Sequence, residues 1–157
     1  MKLVVAPDDA LKKKCRTVEI FDASLRELVE GMLDVMYTHD GVGIAAPQVG
    51  SDLRVIVVDP SAGEMASACR VMINPTLVRT ASSTLYMVEA IEGCLSLPGQ
   101  YFKVKRCALA KVRWQMLTGE TVFETFSDLP ARIVQHEFQH LEGVLLSDIG
   151  YRATLRE

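Results

Sequence analysis

The sequence lacks the features that place a chain in a membrane, in the secretory pathway or on nucleic acid. No apolar run approaches the roughly 18 to 20 residues that cross a bilayer, and residues 1–9 lack the apolar core of a signal peptide. The formal net charge is -3, so a short basic stretch at residues 12–16 is the one candidate for phosphate contacts. We therefore expect a cytoplasmic protein with no membrane segment and no direct nucleic-acid site.

The sequence also lacks internal repeats, low-complexity tracts, linkers and any C-x-x-C pair. Because no export signal is visible, we do not expect its four cysteines to form disulfides, and we interpret Cys15, Cys69 and Cys107 as small buried apolar residues. A chain of 157 residues with 49% hydrophobic residues can bury a sizeable core. We expect one globular domain over residues 1–157, with a monomer as the default.

Two helices and several strands are predicted. Apolar residues recur at helical spacing over residues 24–40, where Ser24 and Glu27 form a possible capping box and Gly41 a stop. Residues 53–59 and 71–74 are β-branched runs, the second ended by Pro75.

Residues 103–106 and 109–115 alternate in polarity, and a turn at 116–120 leads into a strand at 121–126, which predicts a hairpin. Ser127 or Asp128 can cap a second helix that runs to Gly143. Residues 61–68 are expected to form an exposed loop. We predict an α+β fold in which small mixed or antiparallel sheets pack around the second helix, with an N-terminal helix beside them.

The strongest chemical signal is His136-Glu137-Phe138-Gln139-His140 on the second helix. Residues four apart lie one turn above each other, so both imidazoles can reach one metal ion. Glu137 lies between them and can act as acid and base on water without binding the metal. The alternative is an amphipathic helix with two ordinary polar histidines, although the chain has only three histidines.

A catalytic site of this type needs a third protein ligand and an open position. Cys94, in Glu92-Gly93-Cys94-Leu95-Ser96, is the best candidate, because a thiolate is a soft ligand and Gly93 permits close backbone approach. A cysteine considered alone would more often be a small buried apolar residue.

A loop of small residues at 41–50 carries one polar side chain, Gln48. Small residues would let a substrate backbone lie alongside, although the loop could equally be a simple glycine-rich turn. It does not match a phosphate-binding loop, because no Lys-Ser or Lys-Thr follows and a helix precedes it.

Together, G-x-G-x-A-A-x-Q, E-G-C-L-S and Q-H-E-x-x-H, in this order, resemble the peptide deformylases over about residues 8–148. The resemblance implies a metal-dependent amidase that removes the formyl group from N-formylmethionine of nascent polypeptides and releases formate. It implies Fe²⁺ as the cofactor, with Zn²⁺ or Ni²⁺ in purified protein.

The resemblance also implies a role for each site residue. Glu137 would shuttle the proton, while the Gln48 amide and the Leu95 backbone N–H would hold the oxyanion. The metal ligands would be Cys94, His136 and His140, and Glu92 could orient a ligand histidine or could serve a surface or capping role. Substrate would be bound by Val42, Gly43, Gly93, Leu129 and Ile133.

The chain departs from the family's pattern at three places. Gln139 replaces the usual Asp, so a contact there, with Arg106 as a candidate partner, becomes neutral. Tyr101 stands where some bacterial members carry Arg and others an aromatic residue. Only residues 144–157 follow the ligand helix, which leaves transient ribosome contact open.

Two other functions remain to be weighed. A metallopeptidase could carry H-E-x-x-H, but it would rarely use a cysteine ligand and would leave Gln48 without a role. A catalytically silent homologue could bind nascent chains and use the metal only for folding, although the presence of Glu137 and Gln48 argues against this reading.

Overall fold

The computed structural model describes residues 1–79 and 85–154. The helices are α1 (Ala23–Thr38), α2 (Asp128–Leu141) and the short α3 (Leu146–Ile149), with 3₁₀ turns at Asp9–Lys12, Ala46–Val49 and Ala66–Ala68. The strands are β1 (Gly43–Ala45), β2 (Val55–Val58), β3 (Arg70–Val78), β4 (Met87–Gly93), β5 (Tyr101–Cys107), β6 (Leu109–Gln115), β7 (Thr121–Ser127) and β8 (Tyr151–Ala153).

Two antiparallel sheets flank α2. One has the strand order β1-β2-β3-β6-β7 and the other the order β4-β5-β8. One face of α2 packs into the core of the larger sheet, where Val134 and Leu141 join Ile56, Val112 and Trp114. The predicted α+β class with sheets around the second helix is confirmed, and so is the β6–β7 hairpin, whose register pairs Leu109 with Ser127.

Side-chain hydrogen bonds join α2 to the smaller sheet. Gln135 donates to the backbone oxygen of Cys107 at 2.9 Å and accepts from its N–H at 3.1 Å. Arg132 donates to the carbonyls of Val88 at 2.6 Å and Val104 at 3.1 Å. The position of α2 is therefore fixed relative to both sheets.

Helix α1 forms as predicted, but the predicted cap was wrong. Asp22 is the N-cap, because its Oδ1 accepts from the N–H of Leu25 at 3.1 Å, and Ser24 Oγ donates to the same carboxylate oxygen at 2.6 Å. The helix begins at Ala23, one residue before the predicted range, and ends at Thr38, before Asp40. Its buried face carries Leu25, Leu28, Val29, Met32, Val35 and Met36.

The prediction that the second strand run ends at Pro75 was also wrong. Strand β3 continues to Val78, and its pairing with β6 is irregular between Ile73 and Thr76, where a proline without an N–H is tolerated. Asn74 adopts a φ of 51° there, a conformation that Asn tolerates better than most residues.

The segment at residues 41–50 is more regular than the loop we predicted. Gly43–Ala45 forms the edge strand β1, paired with Val58, Val57 and Ile56 of β2, and the 3₁₀ turn Ala46–Val49 follows. Strands β4 and β8 were not predicted. The loop at residues 61–68 is largely exposed as expected.

The remaining expectations concern single residues. All four cysteines are free; Cys15 is buried, but Cys69 and Cys107 are only partly buried. Three cations of the basic stretch pair with carboxylates: Lys12 with Asp148, Lys14 with Glu142 and Arg16 with Asp52. Among the described residues, no helix combines the length and apolarity that crossing a membrane requires.

Candidate metal centre

The two motif histidines lie one turn apart on α2 and both are buried. Their ring centroids are 5.2 Å apart. Helical periodicity directs both side chains towards the same side, against the end of β4. The sequence spacing alone predicted this geometry.

Cys94 follows directly after β4, and its Sγ lies 3.3 Å from Nε2 of His140. Cys94, His136 and His140 each offer a ligand atom, and these atoms all lie within 4.8 Å of one another. The structure therefore brings the three predicted ligands together from the smaller sheet and from α2.

Glu92, the last but one residue of β4, orients His136. Its Oε2 lies 2.9 Å from Nδ1 of His136, which leaves Nε2 of that ring for a metal. Burial acts to raise the pKa of Glu92, but the bonds to His136 and Arg106 outweigh it and lower the pKa to about 2. Of the two roles left open for Glu92, this contact corresponds to the orienting one.

Two arginines neutralise Glu92. Arg106 forms a bidentate pair with it, through Nε at 2.6 Å and Nη2 at 2.8 Å, and Arg132 Nη1 lies 2.5 Å from Oε1. The third nitrogen of Arg106 donates to Gln139 Oε1 at 2.9 Å. The neutral contact expected between Arg106 and Gln139 is therefore present, and the buried carboxylate is held from three sides.

Glu137 is buried beside the histidines, and its Oε2 has no hydrogen-bond partner among the described residues. Burial raises its pKa to about 7, although the charges of His136 and Arg106 act in the opposite direction. Gly43 of β1 approaches it closely: a Cβ on this glycine would lie 2.5 Å from Glu137 Oε1. The carboxylate is thus poised to exchange a proton near neutral pH.

The pKa values of the two histidines shift in opposite directions. Burial acts to lower the pKa of His136, but the charge of Glu137 and the contacts with Cys94 and Glu92 raise it to about 10. Burial lowers the pKa of His140 well below its usual value. A cation bound by both rings would have to displace the proton from His136.

Gln48 reaches the same site from the 3₁₀ turn after β1. Its Oε1 accepts from the N–H of Ala45 at 2.8 Å, and its Nε2 lies 3.7 Å from Cys94 Sγ and 3.2 Å from Ser96 Oγ. Its side chain is 1% exposed. The amide donor is therefore held next to the candidate metal ligands.

One cavity of about 630 Å³ opens over these groups. Every predicted site residue except His140 lines it, and His140 lies behind the wall. Ile133 is buried in the wall, whereas Leu129 is 52% exposed at the rim. The residues brought together are Val42, Gly43, Gln48, Gly93, Cys94, Leu95, Leu129, Ile133, His136 and Glu137.

Sequence reasoning missed two residues around this cavity. Ser96 belongs to the quoted motif, which was the available signal, but its bond to Gln48 depends on the fold. Arg132 carried no signal, because its partners Glu92, Val88 and Val104 belong to strands distant in sequence.

The donor set fits a transition-metal ion. One thiolate and two imidazoles suit iron, zinc or nickel, and the Glu92 contact supports a ligand histidine in the way that such sites need. Nε2 of His140 faces Cys94 Sγ at 3.3 Å and is therefore the atom of this ring that could share an ion with it, whereas Nδ1 is buried with no partner in the described part of the chain.

Three grouped ligand atoms, two of them from residues that line an open cavity, with a buried carboxylate beside them, are the arrangement of the mononuclear metal-dependent hydrolases. Residues 1–152 match the family described as polypeptide deformylase. The chain belongs to this family.

Individual relatives agree with this assignment. The chain is 42% identical to a peptide deformylase of Thermotoga neapolitana, over 90% of this chain and 81% of the relative. It is 43% identical to peptide deformylase 1B, chloroplastic/mitochondrial, of Arabidopsis thaliana, over 94% of this chain but 53% of the relative. The chain thus spans about half the length of the plant relatives it matches.

The fold agrees as well. The solved peptide deformylase of Thermotoga maritima superposes with a TM-score of 0.86 at 38% identity, covering 94% of this chain and 95% of that one. The solved peptide deformylase of Plasmodium falciparum superposes with a TM-score of 0.89 at 35% identity, covering 95% of this chain and 86% of that one.

Proposed function

We propose that this chain is a peptide deformylase, a metal-dependent amidase that hydrolyses the linear formamide of N-formylmethionine at the start of new polypeptides. The single observation that carries the proposal is the joint placement of three ligand atoms within 4.8 Å, Glu137 and the Gln48 amide on one cavity. In a metallopeptidase site the Gln48 amide would have no function.

Cys94, His136 and His140 would hold the metal, with Fe²⁺ as our proposed ion and Zn²⁺ or Ni²⁺ as forms of purified protein. When bound, the ion would supply Lewis-acid polarisation and make water acidic enough to act as a nucleophile near neutral pH. Glu92 would keep His136 in the orientation that presents Nε2.

Glu137 would act as the base and then as the acid. Its residue lines the cavity, its Oε1 lies towards Gly43, and its buried Oε2 has no partner among the described residues. It would take the proton from the attacking water and deliver it to the leaving amine nitrogen, while formate departs. A pKa raised to about 7 suits a group that performs both transfers.

The oxyanion would be held by Gln48 Nε2 and the backbone N–H of Leu95. Such donors contribute about 3–4 kcal/mol each in other hydrolases. The substrate backbone would pair with Val42, Gly43 and Gly93, and Leu129 and Ile133 would contact the methionine side chain.

Partners and compartment are proposed on coarser grounds. We propose nascent formylmethionyl chains as the substrates, a monomer as the active form and the cytoplasm as the compartment. The names of the plant relatives place those proteins in chloroplasts or mitochondria. Transient ribosome contact, which the sequence leaves open, forms no part of the proposal.

The proposal is tested by formate release from formyl-Met-Ala-Ser with protein prepared anaerobically in Fe²⁺. We expect turnover by the wild type and a loss of at least about 10³-fold in Glu137→Gln, because Gln cannot carry the proton. Chelator treatment should abolish turnover, and Fe²⁺ should restore it. Cleavage of unformylated peptides instead would indicate a metallopeptidase, and metal binding without formate release would indicate a silent homologue.

A further inference from the structure

Both ends of the Gln48 amide have fixed partners, and one of them is a serine that has no role so far. Ala45 donates its backbone N–H to Oε1 at 2.8 Å, and Nε2 lies 3.2 Å from Ser96 Oγ. Gln48 is 1% exposed and Ser96 is fully buried. Water therefore does not compete for these bonds.

The hydroxyl of Ser96 can serve Gln48 only as an acceptor. Its oxygen lies 2.7 Å from the backbone oxygen of Val4, and because a carbonyl cannot donate, the single hydroxyl hydrogen points to Val4. The group of Gln48 that faces Ser96 must then be a donor. The Ala45 N–H cannot accept, so the group facing it must be Oε1.

The N-terminal segment at residues 4–6 holds this arrangement in place. The N–H of Val4 donates to the carbonyl of Gln48 at 2.8 Å, and the N–H of Ala6 donates to the carbonyl of Ser96 at 2.9 Å. The carbonyl of Val4, which accepts from the Ser96 hydroxyl, is thus held in place by backbone hydrogen bonds from this segment to Gln48 and to Ser96.

One hydrogen of the Gln48 NH₂ group is donated to Ser96, and the other points to the side of the candidate metal ligands, where Nε2 donates to Cys94 Sγ at 3.7 Å. We propose that Ser96 is a positioning residue: with the carbonyl of Val4, it fixes the amide of Gln48 so that its NH₂ end faces the reacting carbonyl. The inference rests on the proposed role of Gln48 in deformylation.

Removal of the Ser96 hydroxyl would take away the acceptor that holds Nε2 and leave the amide held at one end only, by the Ala45 N–H on Oε1. The NH₂ group would then lose its fixed direction and hold the oxyanion that develops during the reaction less well. We expect Ser96→Ala to lower kcat by about 10- to 100-fold, less than the 10²- to 10³-fold typical for loss of an oxyanion donor, and to change KM less than about threefold.

A double-mutant cycle separates this role from a general structural one. If Ser96 acts through Gln48, Ser96→Ala should lower kcat in the wild type and cause no further loss in Gln48→Ala. Equal losses in both backgrounds would overturn the proposal. Ser61→Ala is the matched control, because Ser61 Oγ donates to Asp59 at 2.6 Å and lines no part of the cavity; its kcat should stay unchanged.

Nuclear magnetic resonance tests the orientation without turnover. In glutamine-¹⁵N-labelled wild type, the Gln48 NH₂ signals are assigned by their loss in Gln48→Ala. We expect contacts from these hydrogens to Ser96 Hβ and none to the Ala45 N–H; the reverse pattern would overturn the proposal. This measurement still decides it if Ser96→Ala does not fold, or if the wild type releases no formate and the proposed function itself fails.

Discussion

At the scale of single residues, buried polar groups in this chain are positioned by hydrogen bonds that the neighbouring sequence does little to predict. Glu92 of β4 contacts Arg106 of β5 and both Arg132 and His136 of α2. Asp59 is a second case: it lies 14 residues beyond β1, is 1% exposed and closes the loop after β2. Each of these two carboxylates contributes more to the free energy of unfolding than a surface ion pair would, because its partners are fixed and partly shielded from water.

Asp59 joins this loop to α1. Its Oδ2 accepts from Tyr37 Oη at 2.7 Å and from the N–H of Gly63 at 2.9 Å, and its Oδ1 accepts from Ser61 Oγ at 2.6 Å and from Ser61 N at 3.0 Å. Burial alone would raise the pKa of Asp59, but these bonds, that of Ser61 first, outweigh burial and lower it below 3.8.

We therefore predict that Asp59→Asn lowers the free energy of unfolding by about 1–3 kcal/mol at pH 7, because the amide NH₂ would face donors. A lowered native pKa gives stability that is complete above the unfolded value and is lost as pH falls from there through the native value. The difference between variant and wild type should narrow below about pH 4. Urea unfolding at steps from pH 7 to pH 3 measures both effects.

Asp52→Asn is the control, because Asp52 forms an exposed ion pair with Arg16. It should cost less than about 1 kcal/mol. A constant difference between Asp59→Asn and the wild type from pH 7 to pH 3 would contradict the assignment of this stability to the carboxylate.

At the scale of elements, the sequence predicted those parts whose signal is local. The placement of the two motif histidines, the hairpin of β6 and β7 and the buried face of α1 follow from periodicity within one element. Strand β4 lacks such a signal: Met87, Val88, Glu89 and Ile91 are all exposed, so no alternation marks it. Its formation depends on pairing with β5, along seven residue pairs from Met87–Cys107 to Gly93–Tyr101.

Pro75 shows the opposite error. Proline normally ends a central strand, and that rule failed because the neighbouring residue absorbs the distortion. Asn74 takes the positive φ, and its side chain pairs with both backbone groups of Val18 at 2.8 and 2.9 Å. These bonds come from a segment 56 residues away, so no local pattern could reveal them.

The contact between β1 and α2 at the site depends on a glycine. A Cβ on Gly43 would lie 2.5 Å from Glu137 Oε1 and 2.6 Å from Ile133 Cγ2. We predict that Gly43→Ala displaces Glu137 and lowers kcat/KM by at least about 10²-fold, because even a shift of about 1 Å can cost that much. Overpacking should also lower the free energy of unfolding by about 1–3 kcal/mol.

Gly31→Ala makes the same change within α1 and serves as the control. The new Cβ there would meet only the side chain of Met1, which is 61% exposed and can move away. Alanine should stabilise the helix by roughly 0.5–1 kcal/mol and leave formate release unchanged. Full activity in Gly43→Ala would show that β1 and α2 are not held as closely as described.

At the scale of the whole molecule, the candidate metal centre connects α2 with the end of β4 in the smaller sheet. These two parts are otherwise joined by side-chain contacts. Cys94 follows β4 of the smaller sheet, whereas α2 packs Val134 and Leu141 into the core of the larger sheet. A third cluster, which includes Phe102 and Leu145, lies under the smaller sheet with Cys94 against it. A metal held by Cys94 and two residues of α2 would therefore crosslink the two sheets.

This arrangement predicts that metal removal destabilises the fold and does so unevenly. A ligand that binds only the native state adds RT ln(1 + [L]/Kd), about 4 kcal/mol at 1,000 times Kd. Since 1 kcal/mol shifts Tm by roughly 2–4 °C at this chain length, chelation should lower Tm by about 8–16 °C. Hydrogen exchange should increase most in residues 92–97 and least in the β6–β7 hairpin, which contributes none of the candidate ligands.

Cys94→Ala supplies the matched comparison, because it removes one ligand and keeps α2 intact. Its Tm should be low and should not respond to chelator, while adding Fe²⁺ should raise the Tm of the stripped wild type alone. Scanning calorimetry with metal analysis before and after chelation makes the test. An unchanged Tm in protein shown to have lost its metal would mean that the two sheets are held by Arg132, Gln135 and the core, and that the metal serves chemistry only.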